Sequence, residues 1–367
     1  MLFQEFVDNL DAIQEIILNI INEEEENLEF EFENLKSEFE NQRIGENKND
    51  LKAILYLISK ISNNYHQTQT FYIRIQRILS FLKDNTIKFF SNFEIFNIFK
   101  ENKRLLLFLF NEKIIIPDKL IFSHISKNKF KKRGYIQYFY PEFKIFNSNS
   151  IFEMDTELFD KNRKKGVNDN YICELIQNDS IEDFVAYTNR TNFLLSSKVS
   201  SSIFETNLFL LKHEPTLIEY SAFYGSIQIF TYLFLNKVKL SPSIWLYAIH
   251  SKSSDLIHLI EPKVKPPKNN FCECYEESVK CYHIDIMNYI KNTLFQNGEE
   301  KLINELVLSL RYFNFSLMSN ILGNFGNVEE IAKDDNAFYY LCKSDYCNIV
   351  DFLLKNSRIN VNYKKVL

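Results

Sequence analysis

The chain has 367 residues, of which 46% are hydrophobic and 25% charged, and its formal net charge is −5 at pH 7. This composition is that of a globular protein with two domains or one elongated array, and the negative charge argues against general nucleic-acid binding. Glycine and proline, at seven each, are too scarce for the many tight turns of a β-sandwich or barrel.

The start of the chain, Met1-Leu2-Phe3-Gln4-Glu5, lacks the positive charge and the unbroken apolar stretch of a secretory signal. The strongly apolar run Leu105–Phe110 is far shorter than the roughly 20 residues that a membrane helix needs. The six cysteines are therefore expected to be reduced intracellular thiols. We predict a protein without membrane association, located in the cytoplasm, with the nucleus as the alternative compartment.

Residues 1–123 are predicted to form a helical N-terminal region. Five isoleucines recur at the spacing of one helix face: Ile13, Ile16, Ile17, Ile20 and Ile21. The acidic stretch 23–33 that follows is interpreted as a solvated helix face, with an acidic docking segment as the alternative. Further apolar stripes begin at Leu51, Ile73 and Phe93 and predict three more helices.

Residues 124–170 differ in composition and are predicted to form a basic and aromatic connector rich in loops. Basic residues cluster at 127–133 and again at 161–165, and the aromatic stretch Tyr138–Phe143 lies between them. We interpret both clusters as solvated surface charge. The alternative is a nuclear-localisation or phosphate-binding patch.

From residue 171 onward an apolar pattern recurs at a spacing close to 30 residues. Its anchor positions follow one another at intervals of 27, 30, 31 and 32 residues: Ile229, Leu256, Ile286, Leu317 and Ile349. A unit of this length forms two short helices that are unable to bury their apolar face alone, so neighbouring units must stack. Ser241-Pro242-Ser243 supplies a helix start within this pattern.

These residues resemble the ankyrin repeat, a unit of about 33 residues with two helices and a projecting loop. Residues 336–362 match that unit without a gap, and residues 216–240 match it in part. The Thr-Pro-Leu-His opening of the repeat is missing, and Glu219 stands where the histidine would be. Because that histidine ties adjacent repeats together by hydrogen bonds, the resemblance predicts that aromatic packing holds these units together instead.

Four stretches carry a longer resemblance: Phe93–Lys100, Tyr138–Phe143, Ser202–Asn207 and Pro215–Ala222. They resemble a large trichomonad-type protist family, in which a helical N-terminal region precedes divergent ankyrin units. The resemblance implies an all-α fold: the helical region 1–123, the connector 124–170 and an ankyrin-like helix-turn-helix solenoid over 171–367. The chain would be a short or a truncated member of that family. The resemblance implies no particular chemistry.

Four possible zinc ligands lie within twelve residues: Cys272, Cys274, Cys281 and His283. Their C-x-C-x6-C-x-H spacing fits no common zinc finger, and residues two apart point in different directions on a helix. We therefore predict core cysteines and no metal site, with zinc binding as the alternative.

The sequence contains no convergent catalytic set. Neither a nucleophile elbow nor a phosphate-binding loop occurs, since Gly323–Gly326 lacks the terminal Lys-Ser/Thr. His250 and His258 are predicted to cap or pack, and Trp245 to anchor a core. We predict that the protein is not an enzyme and binds no cofactor.

Stacked helix pairs predict non-catalytic protein binding along one face. Lys237, Lys239, Lys263 and Lys265 occupy two consecutive loops and are predicted to form a basic stripe for an acidic protein partner, whose identity and stoichiometry the sequence does not indicate. One alternative is an adaptor that presents substrates for ubiquitin ligation. The other is nucleic-acid binding through the basic clusters of the connector.

Overall fold

The structure, a computed structural model, describes residues 2–67, 70–146, 156–295, 298, 303–325, 339–342 and 350. Within these residues the secondary structure is helical, apart from an isolated bridge between Lys198 and Thr216. The predicted all-α character is confirmed. The predicted repeat at 336–362, including Ile349, lies outside the described residues except at 339–342 and 350.

Helices follow one another closely along the chain. Up to residue 146 they are α1 (Leu2–Asn22), α2 (Leu28–Asn41), α3 (Lys48–Asn64), α4 (Phe71–Phe81), α5 (Lys83–Phe89), α6 (Asn92–Phe99), α7 (Lys103–Asn111), α8 (Lys119–Ile125), α9 (Asn128–Lys132), α10 (Tyr135–Tyr138) and α11 (Tyr140–Phe143). From residue 156 they are α12 (Thr156–Lys165), α13 (Tyr171–Gln177), α14 (Ile181–Thr191), α15 (Leu210–His213), α16 (Leu217–Tyr224), α17 (Ile227–Leu235), α18 (Ile244–His250), α19 (Ser254–Ile260), α20 (Cys272–Lys280), α21 (Ile284–Tyr289), α22 (Glu305–Tyr312) and α23 (Phe315–Phe325). A π-helical turn, Ile290–Leu294, follows α21.

The chain divides into two compact units, one formed by residues 1–85 with 275–367 and the other by residues 86–274. These limits differ from the predicted domains 1–123, 124–170 and 171–367. The physical reason is a long-range contact that the spacing of residues does not reveal. In the first unit, α1 packs against α23, so the beginning of the chain and a late helix share one core.

The isoleucine stripe of α1 forms part of the core of the first unit. Ile13, Ile17 and Ile20 are fully buried, as the helical spacing predicts. Gln14 on the same helix is also buried: its amide nitrogen donates to the Ser316 hydroxyl at 2.7 Å, and its oxygen accepts the backbone N–H of Phe315 at 2.8 Å. This amide therefore pairs the start of α23 with α1.

A buried arginine of α4 closes the C-terminal end of α1. The guanidinium of Arg74 donates to the carbonyl oxygens of Ile20 at 3.0 Å, Ile21 at 3.1 Å and Glu23 at 2.5 Å. The last carbonyls of a helix have no partner inside it, and a cation there also interacts favourably with the helix dipole. Arg74 thus satisfies groups that would otherwise be buried without hydrogen bonds.

In the second unit, the described residues of the segment 124–170, which are 124–146 and 156–170, are largely helical and packed, which differs from the predicted loop-rich connector. It contributes α8 to α12, and its aromatic side chains Tyr135, Tyr138 and Phe139 are fully buried. The ring centres of Tyr138 and Phe139 lie 4.9 Å apart at 76°, an edge-to-face contact. Burial of these rings offsets the cost of ordering a segment that is rich in charge and poor in aliphatic residues.

The predicted apolar anchors occupy the same place in successive helix pairs. Ile229, Leu256, Ile286 and Leu317 are each the third residue of a helix: α17, α19, α21 and α23. All four are buried. Within the second unit, α16 packs against both α13 and α18, and α17 packs against α14. The recurrence read from the sequence therefore corresponds to the register of real helices.

The turns inside these pairs share one backbone conformation. The residue two positions before each second helix has a positive φ: Asp179 (49°), Gly225 (71°), Lys252 (57°), Tyr282 (58°) and Phe313 (58°). Glycine adopts this left-handed conformation without a steric penalty, whereas other residues pay roughly 1–2 kcal/mol. Four of these five turns therefore keep the left-handed conformation without a glycine. For this reason the turn glycine does not recur in the sequence of the successive helix pairs.

A hydrogen bond between consecutive helix pairs also recurs. The Ser226 hydroxyl, just before α17, donates to the carbonyl of Ile176 in α13. The Asn314 amide, just before α23, donates to the carbonyl of Val279 in α20 at 3.0 Å. Each acceptor lies three residues before a left-handed turn residue, so the two bonds are equivalent.

Glu219 joins two neighbouring helix pairs by hydrogen bonds. Its carboxylate closes a capping box with Thr216 at the start of α16. The same carboxylate accepts the hydroxyls of Ser241 and Ser243, both at 2.7 Å, from the loop that begins α18. The expectation that aromatic packing takes over this role is therefore incomplete, because a hydrogen-bonded tie between neighbouring pairs is present.

Candidate functional site

The four lysines predicted to contact a partner lie in two loops of the second unit. Lys237 and Lys239 follow α17, Lys263 and Lys265 follow α19, and all four are exposed. The ammonium of Lys263 lies 5.4 Å from the centre of the Phe234 ring, near the end of α17. The two loops are therefore neighbours. We call these four residues the lysine loops.

The lysine loops present positive charge next to apolar surface. Within the part of the chain that the structure describes, none of their ammonium groups forms an ion pair. Leu235, the last residue of α17, is 72% exposed beside them. Such a combination of cations with an exposed apolar side chain fits a segment that carries both acidic and apolar residues.

Part of the basic cluster 161–165 is engaged in contacts within the protein. Arg163 is buried and donates to both carboxylate oxygens of Glu142, at 2.7 and 2.9 Å, and to the carbonyl of Tyr138 at 3.0 Å. These charge-assisted hydrogen bonds stabilise the packed aromatic segment. It is not accessible to a phosphate backbone.

The basic cluster 127–133 keeps only part of its charge free. Arg133 pairs with Glu101 at 2.6 Å, and its side chain is 12% exposed. Lys131 and Lys132 are exposed, and neither side chain pairs with another described residue. These two cations, together with the exposed Lys127, are therefore available to a ligand.

A cleft of about 590 Å³ opens beside Lys131 and Lys132. One of its walls is the non-helical segment 198–202, which begins at the isolated bridge between Lys198 and Thr216. The segment contains three consecutive serines, and its shape is maintained by side-chain amides: those of Asn168 and Asn170 both donate to the carbonyl of Ser200. The wall is thus held by hydrogen bonds and not by regular secondary structure.

The buried end of the cleft holds a carboxylate, Glu205, whose residue is only 5% exposed. Its Oε1 accepts the backbone N–H of Asn207 at 2.8 Å, whereas its Oε2 has no hydrogen-bond partner among the described residues. Burial raises the pKa of Glu205 to about 7, although the Asn207 hydrogen bond and the positive charge of Lys103 act in the opposite direction.

Lys103 lies behind this carboxylate and is fully buried. Its ammonium donates to the carbonyl oxygens of Ile203 at 2.6 Å and Arg133 at 3.2 Å. Burial lowers the pKa of Lys103 to about 7, against the opposing influence of Glu205. The lysine therefore anchors the chain on both sides of the cleft while contributing only part of a positive charge at neutral pH.

Gln137 also lines the cleft. The Oε1 atom of Gln137 is buried and has no hydrogen-bond partner within the described residues. Neither Gln137, Glu205 nor Lys103 stands out in the sequence, although Glu205 lies in one of the stretches that carry the family resemblance. The sequence does not reveal that such residues are buried, because single glutamate and lysine residues lie overwhelmingly at the protein surface.

The four residues considered as zinc ligands differ in burial. Cys274 and Cys281 are buried, and Cys272 is partly exposed. Burial raises the pKa of the Cys281 thiol well above its usual value, which disfavours the thiolate that metals bind. The ring of His283 packs edge-on against Tyr65, with centroids 5.3 Å apart.

Two of the other residues discussed from the sequence, His250 and Trp245, are buried, and His258 is largely exposed. His250 is buried, and its ring centre lies 4.2 Å from that of Phe209. His258 is largely exposed on α19. Trp245 is a core residue, as predicted, and its indole N–H donates to the carbonyl of Val264 at 2.8 Å.

Comparison with family models, with curated proteins and with solved structures finds no match to this chain. None of the helices in the described ranges has both the length and the apolar character needed to cross a membrane. The lysine loops and the cleft, both in the second unit, are the two candidate sites of this chain.

Proposed function

We propose that this chain is a non-catalytic protein-binding module built from ankyrin-like helix pairs, and that the lysine loops contact an acidic segment of the partner. One observation carries the proposal. Lys237, Lys239, Lys263 and Lys265 project from two neighbouring loops, are exposed, and form no ion pair within the described residues. Cations that no carboxylate of the described residues neutralises are available for negative charges on another molecule, although Lys263 also donates a hydrogen bond to the carbonyl of Leu259 at 2.6 Å.

The repeated contacts between helix pairs support the ankyrin-like part of the proposal. Equivalent hydrogen bonds from Ser226 and Asn314, and the left-handed turn before each second helix, are features expected of stacked repeats. Pairs tied in this way hold their loops at fixed separations. A rigid loop array binds with little ordering cost, which favours affinity.

The chemistry of the lysine loops indicates the kind of partner segment. Charge attraction by exposed lysines is weak per pair and screened by salt, so several must act together. Leu235 adds apolar area that a hydrophobic side chain of the partner can cover. We therefore expect the bound segment to alternate acidic and apolar residues.

The test uses a fluorescent peptide in which glutamate alternates with leucine, and a matched peptide in which glutamine replaces glutamate. Fluorescence anisotropy with the full chain should show binding of the acidic peptide that weakens with added salt. The combined variant Lys237→Glu, Lys239→Glu, Lys263→Glu and Lys265→Glu should lower that affinity by about tenfold or more, since each exposed pair contributes up to about 1 kcal/mol.

A second charge-reversed variant provides the control. It carries the same number of Lys→Glu changes at exposed lysines of the same unit outside these loops: Lys113, Lys119, Lys161 and Lys164. Its affinity should change about threefold or less, as expected for distant, screened charges. An equal loss in both variants would show a response to net charge alone and would overturn the proposal. Tighter binding of a DNA duplex than of the peptide would reassign the lysine loops to nucleic acid.

A further inference from the structure

Two walls of the cleft are packed against each other. One is the end of α9 with the residues that follow it, and the other is the segment 198–202, which we call the serine segment. A methyl group on Gly134 would lie 3.2 Å from Cγ2 of Ile203, so the two stretches of chain touch. The ammonium of the buried Lys103 also donates to the carbonyl oxygens of both Arg133 and Ile203. The end of α9 and the serine segment are therefore held beside each other.

Hydrogen bonds hold the serine segment in place along its length. The N–H of Val199 donates to the carbonyl of Pro215 at 2.7 Å. The Ser202 hydroxyl donates to the carboxylate of Asp169, also at 2.7 Å. Between them, the carbonyl of Ser200 accepts the two asparagine amides described above. The segment is thus ordered before a ligand arrives, which lowers the ordering cost of binding.

Four residues of the cleft lining carry donors that no described residue accepts. Lys131 and Lys132 are exposed, and neither ammonium pairs with a described residue. Ser200 and Ser201 are also exposed, and neither their hydroxyls nor their backbone N–H groups donate to any described residue. Two cations and two hydroxyls that line one cleft favour a ligand that is negatively charged and accepts several hydrogen bonds.

Each of the two acidic residues in the lining is offset by a lysine. Glu214 pairs with Lys198 at 3.4 Å, and because their side chains are 76% and 67% exposed, this pair is weak. Glu205 is buried, and the positive charge of Lys103 counters its negative charge. The charge of the two lysines at the end of α9 is therefore not neutralised within the cleft.

We propose that the cleft binds an organic phosphate monoester. The ammonium groups of Lys131 and Lys132 attract its phosphoryl oxygens, and the hydroxyls of the serine segment donate to them. A monoester carries about −1.5 to −2 charges at pH 7 and three acceptor oxygens, so one such group serves several donors at once. The volume of about 590 Å³ lies within the range of about 300–1,000 Å³ of small-molecule sites, and the partly exposed Val199 and Leu211 offer apolar surface to the carbon part.

Two sources share this chemistry: a phosphorylated residue of a polypeptide and a free small molecule. The phosphate diesters of a nucleic-acid backbone carry one charge each and are expected to bind less tightly. The cleft has no residue in common with the lysine loops. Its failure would therefore leave the protein-binding proposal untouched, and the reverse also holds.

Three probes separate the charge of the ligand from its carbon part. Phenyl phosphate carries both, phenyl sulfate keeps the ring but has a single negative charge, and inorganic phosphate lacks the ring. Titration calorimetry with the full chain at low salt and about pH 7.5, above the second pKa of a monoester, should give the tightest binding for phenyl phosphate. Phenyl sulfate should bind about fivefold more weakly, as for the loss of one exposed charge pair, and inorganic phosphate about threefold more weakly, because apolar contact is lost.

Two double substitutions assign the charge preference to the protein. Lys131→Gln combined with Lys132→Gln should weaken the binding of phenyl phosphate by about tenfold and abolish its advantage over phenyl sulfate. Lys113→Gln combined with Lys119→Gln removes the same charge from exposed lysines of the same unit outside the cleft lining, and should change the affinity by about twofold or less. An equal loss in both variants would show a response to net charge alone and would overturn the proposal.

A second comparison tests the serine segment. Ser200→Ala combined with Ser201→Ala removes two hydroxyls and should weaken the binding of phenyl phosphate by about fivefold. Ser196→Ala changes an exposed serine outside the cleft lining and should leave the affinity unchanged. Wild-type affinity in the folded double variant would contradict the proposed site.

The wild-type chain alone can refute the proposal. Equal affinity for phenyl phosphate and for either of the other two probes would overturn it, whether or not the variants fold. Acetyl-Leu-phosphoserine-Leu-amide distinguishes the sources. Tighter binding than that of phenyl phosphate assigns the cleft to a phosphorylated polypeptide, and binding that is no tighter assigns it to a small molecule.

Discussion

The carboxylate of Glu219 accepts a hydrogen bond from the hydroxyl of Ser243, 24 residues further along the chain, at 2.7 Å. Ser243 immediately precedes α18, and Glu219 lies in the first turn of α16. One side chain therefore caps its own helix and holds the start of the next pair. This is a tie between neighbouring units in a position where the ankyrin pattern would place a histidine.

Removal of this tie should destabilise the second unit. Glu219→Ala loses the capping box and both serine hydrogen bonds, and we expect the free energy of unfolding to fall by about 2 kcal/mol. The exposed Glu182→Ala should cost about 0.5 kcal/mol or less. Urea unfolding followed by circular dichroism measures both, and equal losses in the two variants would refute a special role for Glu219.

The contribution of Glu219 should also depend on pH. Burial alone would raise the pKa of Glu219, but the hydrogen bonds from Thr216, Ser243 and Ser241 outweigh it and hold the pKa below its ordinary value. The stabilisation is therefore fully present above the unfolded-state pKa and is lost as pH falls through the lowered folded-state value. The difference between wild type and Glu219→Ala should shrink between pH 7 and about pH 3.

The left-handed turns predict opposite effects of two substitutions. Gly225→Ala should destabilise by about 1 kcal/mol, because alanine is strained at φ 71° and the added Cβ meets only the Ser251 side chain, at 3.4 Å. Lys252→Gly should stabilise by about 0.5 kcal/mol, because relief of strain exceeds the entropy lost by a glycine. Thermal unfolding checks both signs, and stabilisation by Gly225→Ala would contradict the turn assignment.

The two arginines of α4 provide a matched comparison in the first unit. Arg74 is buried against the end of α1, whereas Arg77 forms an ion pair with Glu29 in which both side chains are well exposed. We expect Arg74→Met to cost about 3 kcal/mol, since it leaves buried carbonyls unpaired. Arg77→Met should cost about 1 kcal/mol or less. Denaturant unfolding that ranks the two in the opposite order would exclude the capping role.

Glu205 and Lys103 predict a minimum of stability near neutral pH. Burial raises the pKa of Glu205 from 4.5 to about 7, so in that range the folded chain holds a proton that the unfolded chain has released, and stability falls as pH rises. Burial lowers the pKa of Lys103 from 10.5 to about 7, so above pH 7 the unfolded chain holds the extra proton, and stability rises with pH.

Two substitutions test the acidic and the basic side of this pH dependence of the free energy of unfolding separately. Glu205→Gln should abolish the decline of about 3 kcal/mol in the free energy of unfolding on the acidic side, and Lys103→Met should abolish the rise on the basic side. Among the groups near Glu205, burial raises the pKa of the Cys173 thiol to about 12 and raises the pKa of the Tyr220 phenol well above its ordinary value. Neither thiol nor phenol titrates in this window. A profile of unfolding free energy without a minimum would disprove the coupling.

Much of the local structure could be predicted from residue spacing. The stripe around Ile13 and Ile17 predicted α1, and the recurrence from Ile229 to Leu317 predicted helices whose third residues are buried. One predicted helix, from Phe93 to Phe110, is in fact two, α6 and α7, because the side chain of Asn102 accepts the N–H of Leu105 and starts a new helix.

The lysine loops were predicted as exposed loop residues, and their neighbouring placement follows the same repeat spacing. The cleft was not predicted. Its Glu205 comes from a non-helical segment, its Gln137 from a short helix in the supposed connector, and its Lys103 from the start of α7. No periodic signal links residues so far apart, and their burial is set by the packing of aromatic rings around them.

Local spacing specified the helices, their pairing and the register of the buried anchors, because hydrogen bonds within a helix and between adjacent helices join residues close in the chain. Which distant surfaces meet was decided only on folding: α1 against α23, Arg74 on the carbonyls of α1, and Glu205 at the end of a cleft. Such contacts depend on shape and on the hydrogen bonds left unsatisfied by secondary structure. Neither the shape of a surface nor its unsatisfied hydrogen bonds can be deduced from the order of residues in one segment.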